Sequence, residues 1–171
     1  MIPRLLFLLT LISALSMAGN AGWKDFQFLI GDWAGEGGGG STGSGSGAFS
    51  FQPEVAGQVL IRRNGADYPA SNGKPAYHHE DLMMIYMEGS GKAPEAVYAD
   101  SEGHVIHYQA EVASDPPSVR FISRPAAGEP RYRLSYRQTG ADTLTGQFEV
   151  APPDQPNSYR MYLTWTAKRK H

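Results

Sequence analysis

The sequence predicts an all-β protein, a single antiparallel up-and-down β-barrel of about ten strands. Almost every segment after residue 25 alternates apolar and polar residues with period two, and no stretch of ten or more residues holds a helical period. Clusters of Gly, Pro, Asn, Asp and Ser interrupt this pattern at short intervals, which favours consecutive strands joined by turns. Closing the sheet removes its exposed edges, and a β-sandwich is the alternative architecture.

The first 21 residues have the pattern of a secretory signal peptide. Arg4 precedes an apolar run of 11 residues, from Leu5 to Leu15, and small residues follow the run. The run is shorter than the ~20 residues that a membrane-spanning helix needs, so we expect cleavage and no stable membrane insertion. We therefore expect an exported protein, periplasmic or extracellular, in which residues 22–171 form one domain.

The composition argues against two classes of function. The sequence contains no cysteine, which removes disulfide bonds and thiol chemistry. Its formal charge is −2, and it becomes −3 without residues 1–21, because that segment carries one Arg and no acidic residue. Nucleic-acid binding needs a clustered basic face, so we expect no nucleic-acid partner.

The predicted strands follow one another along the chain with short connections. The first begins at Phe26 and carries Gly31 and Trp33, and the fourth contains the apolar run from Leu82 to Met87. The ten predicted ranges are 26–37, 44–52, 55–64, 78–88, 94–100, 103–113, 118–124, 130–138, 143–151 and 158–170.

The last three strands show the clearest alternation, with one apolar and one polar face each. The apolar face of the eighth strand holds Tyr132, Leu134 and Tyr136, and that of the ninth holds Leu144, Phe148 and Val150. In the last strand one face holds Tyr159, Met161, Leu163, Trp165 and Ala167, and the other holds Arg160, Tyr162, Thr164, Thr166 and Lys168.

Two connections are longer than the others. The run from Gly37 to Gly47 consists almost entirely of Gly and Ser and predicts a flexible loop, whose last glycines lie in the next strand at a bend. It lacks the strand-to-helix context and the Lys-Ser/Thr ending of a phosphate-binding loop. The second connection, from Ala66 to Tyr77, has a length that is often functional at the mouth of a barrel.

Four consecutive titratable residues, His78, His79, Glu80 and Asp81, begin the fourth strand. In an extended strand His78 and Glu80 share one side, and His79 and Asp81 share the other. Each carboxylate can orient one imidazole, as in acid–base sites, and the alternative is a hydrogen-bonded strand end near solvent. The spacing lacks a closed set of metal ligands, so we predict no metal.

The next hairpin carries two further histidines. His104 shares its side with Ile106 and Tyr108, which predicts that it faces the interior, whereas His107 faces outward. His104 is therefore a fifth candidate catalytic residue. If it meets a member of the cluster from His78 to Asp81, the two can form a zinc-like or acid–base site.

Candidate ligand-binding residues are polar, soft or aromatic side chains near the expected cavity. One of the consecutive arginines, Arg62 or Arg63, can hold a carboxylate or propionate through a planar bidentate pair, or both can lie on the solvated rim. Soft and aromatic side chains that face a cavity suit an apolar or flat ligand. The predicted ligand-binding set is Arg62, Arg63, Tyr68, His79, Met84, Tyr86, His104 and Tyr108.

The strand around Gly31, Asp32 and Trp33, the ten-strand meander, and the connection with Tyr68-Pro69 and Gly73-Lys74-Pro75 together resemble the calycin superfamily. The resemblance is to nitrobindin-like and fatty-acid-binding-protein-like barrels, in the wider lipocalin-like group. It implies a cavity for haem or a small apolar molecule. It also implies structural roles for Gly31, Trp33 and Arg169, with Arg169, or alternatively Lys168, packed over Trp33 by a cation–π contact.

The last strand departs from the nitrobindin-like pattern. In that group a histidine on the last strand holds the haem iron, but residues 158–167 contain no histidine. Met161 or Tyr162 stands near the expected place, and both residue types ligate haem iron elsewhere. Haem therefore remains a candidate cofactor beside a lipid-like ligand.

The leading functional hypothesis is an exported barrel that sequesters or carries a small hydrophobic molecule. The first alternative is a barrel enzyme, of isomerase or cyclase type, that uses the cluster from His78 to Asp81 for proton transfer. The second is a non-catalytic envelope protein whose barrel is filled by its own side chains. A cavity-facing histidine with a shifted pKa favours the enzyme, and the absence of a cavity favours the filled barrel.

Overall fold

The computed structural model describes residues 21–39, 43–71, 73–89 and 93–171. The predicted signal peptide lies outside the described residues, except for its last position, Ala21. Within the described part of the chain, no helix is long and apolar enough to cross a membrane.

Ten strands form one closed antiparallel barrel. Each strand pairs with the next along the chain, and the first pairs with the last to close the wall. The predicted all-β up-and-down barrel is therefore confirmed. The strands are Gly31–Gly39 (β1), Gly43–Glu54 (β2), Val59–Tyr68 (β3), Tyr77–Tyr86 (β4), Glu95–Asp100 (β5), Val105–Ser114 (β6), Pro117–Ser123 (β7), Arg131–Gly140 (β8), Thr143–Ala151 (β9) and Arg160–Arg169 (β10).

A short helix plugs one end of the barrel. The described part of the chain begins with a 3₁₀ helix, Ala21–Phe26, and then turns into β1. The apolar side chains of Trp23, Phe26 and Leu29 are buried in the core, and Trp23 Nε1 donates a hydrogen bond to the Gly57 carbonyl at 2.8 Å. We call this the plugged end, and we call the opposite end, where β1 joins β2 and β3 joins β4, the open end.

The predicted start of the first strand at residue 26 is wrong. Residues 27–30 form turns and irregular structure, and β1 begins only at Gly31. Phe28 and Leu29 are adjacent and both buried, which a half-buried strand does not allow because successive side chains point to opposite faces. The aromatic residues of this segment cover the end of the core instead of extending the wall.

The described residues of the Gly/Ser run, 37–39 and 43–47, lie in strands rather than in the predicted loop, and the predicted place of the last glycines in the next strand is confirmed. β1 continues to Gly39 and β2 starts at Gly43, and the two pair through Gly35↔Gly47 and Gly37↔Gly45. Residues 40–42 lie outside the described part. Close packing explains these glycines: a Cβ at Gly37 would lie 2.4 Å from the Trp165 Cβ, and one at Gly45 would lie 2.7 Å from the Tyr68 ring.

The basic side chain over the first-strand tryptophan comes from Arg169, not Lys168. The Arg169 guanidinium lies 4.2 Å from the Trp33 ring centroid and donates hydrogen bonds to the carbonyls of Ile30 and Phe28. Gly31 has a positive φ of 125°, and a Cβ there would lie 2.5 Å from Arg169 Nη1. The guanidinium therefore joins β10 to the segment that enters β1.

A β-bulge breaks the predicted alternation of the last strand. The register of β10 against β9 shifts between Met161 and Leu163, so Tyr162 turns toward the cavity beside Leu163, and Met161 is exposed. The prediction that Met161 shares a face with Leu163 is therefore wrong. A bulge places two residues opposite one, and the period of two does not continue across it.

Candidate functional site

A cavity of about 710 Å³ occupies the barrel between the plugged end and the open end. This volume falls within the usual range of small-molecule sites, roughly 300–1,000 Å³. Tyr77 and Tyr162 line it and are 40% and 46% exposed, so the cavity reaches solvent at the open end. The barrel is therefore not filled by its own side chains, contrary to the envelope-protein alternative.

The cavity wall has a smooth side and an aromatic side. Gly35, Gly37, Gly45 and Gly47 of the β1–β2 hairpin form the smooth side, because they present backbone only. Aromatic rings from seven other strands form much of the remaining apolar wall. These rings belong to Tyr68, Tyr77, Tyr98, Tyr108, Tyr132, Phe148, Tyr162 and Trp165.

A buried ion pair lies deep in the cavity wall. Arg62 from β3 pairs with Asp81 from β4, and the two side chains are 5% and 3% exposed. Asn64 donates a second hydrogen bond to Asp81 at 2.9 Å. The Arg62 guanidinium also lies 5.8 Å and 5.9 Å from the ring centroids of Phe49 and Tyr136. Its charge is therefore compensated within the protein.

His79 connects this pair to the open end. Its Nε2 lies 3.1 Å from an Asp81 oxygen, and its Nδ1 lies 2.8 Å from a Glu102 oxygen. The hydrogen bond to Asp81, together with the one to Glu102, outweighs partial burial and raises the pKa of His79 to about 9. At neutral pH His79 is therefore an imidazolium that donates to two carboxylates, and it is a proton donor rather than a general base.

Tyr98 and Asp100 of β5 extend the polar network. The Tyr98 hydroxyl lies 3.4 Å from His79 Nε2 and donates a hydrogen bond to Asp100 at 3.2 Å. Burial and the negative charge of Asp81 raise the pKa of Tyr98. Burial alone would raise the pKa of Asp100, but hydrogen bonds from the backbone and ring of His104 outweigh it and lower that pKa. Asp100 is therefore ionised at neutral pH.

Three residues of the β5–β6 connection bring potential metal-ligand atoms together. One atom each from Asp100, Glu102 and His104 lies within 4.8 Å of the other two. The same groups already stabilise the turn, because Asp100 accepts hydrogen bonds from the backbone N–H of Glu102 and of His104. Their grouping is accounted for by the turn itself, and we assign no metal to it.

The structure separates the predicted catalytic candidates. His79 and Asp81 line the cavity, as does His104 on the open-end turn. His78 lies on the outer face with Glu80, at 3.5 Å, and also pairs with Asp67 at 2.7 Å. His78 and Glu80 are thus outside the cavity, because successive residues of β4 point to opposite faces.

Three predicted ligand-binding residues also lie outside the cavity. Arg63 is exposed and pairs with Glu54 at 2.8 Å, Met84 lies on the outer wall, and Tyr86 contacts Glu95. Residues 81, 83 and 85 are the buried positions of β4, so 84 and 86 face outward. The other members of the predicted set line the cavity: Arg62, Tyr68, His79, His104 and Tyr108.

Several cavity residues were not among the predicted site residues. Tyr98, Asp100 and Glu102 contact the predicted histidines, yet in the sequence they read only as a strand and a turn. Tyr162 was assigned to the opposite face of its strand. In the sequence, Asp100 and Glu102 lie in a polar turn next to His104, which is predicted to face the cavity. This was the signal that could have identified them as site residues.

The described residues do not reproduce the last-strand histidine that holds haem iron in the nitrobindin-like group. The last strand presents Tyr162, Leu163 and Trp165 to the cavity, and none of these carries an imidazole. Both ring nitrogens of His79 already contact carboxylates. Arg62, which could have met a haem propionate, is paired with Asp81.

The comparisons with known proteins support the fold. No model of a known protein family matches the sequence, and no curated protein matches it significantly. The crystal structure of Rv2717c from M. tuberculosis is similar, with a TM-score of 0.61 and 19% identity over 88% of this chain and 98% of that chain. A redesigned β-barrel matches with a TM-score of 0.38 and 12% identity over 84% and 93% of the two chains. The likeness to Rv2717c concerns the fold alone.

Proposed function

We propose that this protein is a lipocalin-like, calycin-type barrel that binds one small, largely apolar molecule in its cavity and sequesters or carries it. The observation that carries the proposal is the cavity of about 710 Å³ with its largely apolar lining, which is rich in aromatic rings. The smooth glycine wall facing aromatic rings suits a flat or aromatic body. On the pattern of its first 21 residues, we also propose that the protein acts after export, in the periplasm or outside the cell.

Native mass spectrometry, combined with an absorption spectrum, tests this proposal on protein purified from its native source. We expect a co-purified apolar mass, or stoichiometric uptake of the neutral probe N-phenylnaphthylamine. Trp165 provides an internal reporter, because it lines the cavity, whereas Trp23 and Trp33 lie in the core at the plugged end. Binding should therefore quench part of the tryptophan fluorescence, and a Trp165→Phe variant should lose that response.

A matched pair of variants separates the cavity from the outer surface. Ala66 lines the cavity, and Ala99 is exposed on the outer face of β5. Ala66→Phe places a ring inside the binding volume and should weaken probe binding at least tenfold, whereas Ala99→Phe should leave it unchanged. Equal affinities in the two variants, or no uptake of any probe by the folded wild type, would refute the binding-barrel proposal.

Proton donation to a bound molecule is a second candidate function. The favouring observation is that His79, held by Asp81 at 3.1 Å, lines the cavity with a raised pKa of about 9. An isomerase of this type exchanges protons between ligand and solvent. The test is deuterium incorporation from D₂O into the co-purified ligand, which should require wild-type protein and fall at least tenfold in His79→Gln; exchange at the uncatalysed rate would exclude the enzyme.

A further inference from the structure

The charged groups that line the cavity leave no unpaired cation for an anionic ligand. Among the described lining residues, the basic side chains are Arg62, His79 and His104. Arg62 pairs with Asp81, His79 contacts both Asp81 and Glu102, and His104 contacts Asp100 at 2.9 Å. A ligand carboxylate entering the cavity would meet these carboxylates without gaining a free positive partner.

Glu102 is the carboxylate that remains available at the open end. Its side chain is 42% exposed, and its two oxygens lie 3.0 Å and 2.8 Å from His79 Nδ1. A carboxylate has about four acceptor positions, so each oxygen retains capacity for a further donor. By contrast, the Asp100 side chain is 5% exposed and accepts hydrogen bonds from Tyr98, His104 and the backbone of its own turn.

Three tyrosine rings surround the same region of the open end. Tyr68 and Tyr77 stack with their ring centroids 4.7 Å apart and their planes 9° apart, and Tyr162 lines the cavity from β10. Burial and then the charges of Tyr77, Tyr162 and Glu102 raise the pKa of Tyr68 to about 12. Burial, Tyr162 and Glu102 likewise raise the pKa of Tyr77. Tyr77 and His79 lie two residues apart on the inner side of β4, and His79 Nδ1 lies 2.8 Å from a Glu102 oxygen, so the Glu102 carboxylate lies next to this stack.

We propose that the ligand is an organic ammonium, whose cationic nitrogen binds Glu102 and the rings of Tyr77 and Tyr162, with Tyr68 stacked behind Tyr77, while its apolar or aromatic body fills the cavity below. This inference rests on the proposed binding function and specifies the class of ligand. Aromatic faces attract cations through the ring quadrupole, and a partly exposed carboxylate supplies the counter-charge. A tyrosine cage with one carboxylate is therefore complementary to an ammonium group.

Isothermal titration calorimetry with tryptamine, tryptophol and indoleacetate tests the proposal, because the three share an indole body and differ in the charge of the side chain. We expect tryptamine to bind about threefold to tenfold more tightly than tryptophol, and indoleacetate to bind most weakly. If tryptophol binds as tightly as tryptamine, or if indoleacetate binds most tightly, the ammonium inference is overturned. The proposed binding function is not affected by either result.

Variants assign the effect to the residues of the cage. Glu102→Gln should reduce tryptamine affinity about threefold to tenfold and leave tryptophol affinity unchanged. Glu111→Gln, which removes the same charge from an exposed pair with Arg120 on the outer wall, should change neither. Tyr77→Leu should weaken tryptamine binding, and Tyr77→Phe, which keeps the ring, should retain it. A Glu102→Gln protein with full tryptamine affinity would refute the site.

The neutral probe N-phenylnaphthylamine distinguishes failure of the ammonium inference from failure of the proposed binding function. If this neutral probe enters the barrel and none of the three indoles binds, the ammonium inference fails while the proposed function stands. If the folded protein takes up neither the probe nor the indoles, both fail. Circular dichroism of each variant establishes folding before its affinity is interpreted.

Discussion

At the scale of single residues, the buried ion pair between Arg62 and Asp81 constrains the core of this protein. Both side chains are almost completely buried, and Asn64 supplies a further hydrogen bond to the carboxylate. Burying two charges is unfavourable unless each has its partner, so the pair makes the two residues depend on each other. It also compensates the guanidinium charge within the protein, a point that the sequence alone left open, while the buried Arg62 Nε has no hydrogen-bond partner among the described residues.

Replacing Asp81 by Ala should leave the buried Arg62 charge without its partner. We expect Asp81→Ala to lower the free energy of unfolding by about 3–5 kcal/mol, as is typical when one partner of a buried pair is removed. The double variant Arg62→Met/Asp81→Leu should recover a substantial part of this loss, because no unpaired charge remains. Urea denaturation of the three proteins measures both effects; a double variant as unstable as the single one would contradict the account.

The His79 interactions should make stability depend on pH in a defined window. Folding raises the pKa of His79 from 6.5 to about 9, chiefly through Asp81, so the folded state favours the protonated form. This contribution is complete below a pH of about 6.5 and is lost as the pH rises to about 9.

Comparison with His79→Gln measures this contribution. After allowance for solvent screening, we expect the wild type to exceed the variant by about 1–2 kcal/mol in unfolding free energy near pH 6. The difference should shrink steadily toward pH 9.5. Urea titrations in EDTA measure this difference without interference from bound cations. If the difference in unfolding free energy between the wild type and His79→Gln grew with pH, it would contradict the prediction.

At the scale of elements, the β1–β2 hairpin makes the cavity possible. Its inward positions toward the open end are Gly35, Gly37, Gly45 and Gly47, so Trp165 from β10 and Tyr68 from β3 lie directly against its backbone. Glycine weakens a strand by losing more conformational entropy on folding, yet this wall remains paired on both sides to β10 and β3. The hairpin provides cavity volume where ordinary side chains would fill it.

Two glycines of β1 should respond differently to the same substitution. A Cβ at Gly37 would lie 2.3 Å from the Thr164 carbonyl oxygen, whereas a Cβ at Gly35 would meet the Trp165 ring at 3.5 Å, an ordinary contact. We expect Gly37→Ala to destabilise the protein by about 1–3 kcal/mol and Gly35→Ala to change stability by less than about 0.5 kcal/mol. Thermal unfolding of both variants checks this, and equal melting temperatures would contradict the packing argument.

At the scale of the whole molecule, closure depends on contacts between the two ends of the chain. β1 pairs with β10 from Trp33↔Arg169 to Gly38↔Thr164, and the Arg169 side chain covers the Trp33 ring at the plugged end. The Trp33 Nε1 donates to the Leu29 carbonyl at 2.8 Å, which fixes the ring under the guanidinium. The seam therefore combines strand pairing with a buried aromatic and a cation.

Substituting Arg169 should weaken this seam more than substituting its neighbour. Arg169→Met loses the cation–π contact and the hydrogen bonds to the Ile30 and Phe28 carbonyls, and we expect a loss of about 1–3 kcal/mol. That corresponds to a fall in melting temperature of roughly 2–12 °C for a domain of this size. Lys168→Met, on the exposed face of the same strand, should change it by less than about 2 °C. Equal shifts would show that Arg169 has no special role.

Much of this barrel could be predicted because strand alternation is a local property. Backbone geometry sends successive side chains to opposite faces, so composition and turn residues were enough to identify ten strands and to separate His79 and Asp81 from His78 and Glu80. The segment 143–151 matches β9 in full. The resemblance also indicated a basic side chain over Trp33, with Arg169 named among the structural residues, and the structure places Arg169 there.

Only the tertiary structure decided the site, because sites depend on register and closure between distant segments. The pairing Asp81↔Asp100 places the β5–β6 turn beside His79, although the turn lies about twenty residues further along the chain. The bulge in β10 turns Tyr162 inward, and the inward glycines leave the volume that a ligand would fill. The sequence alone determined that the wall is an antiparallel β-sheet and which residues alternate between its two faces. Long-range pairing determined which of them meet, because local periodicity contains no information about register between strands.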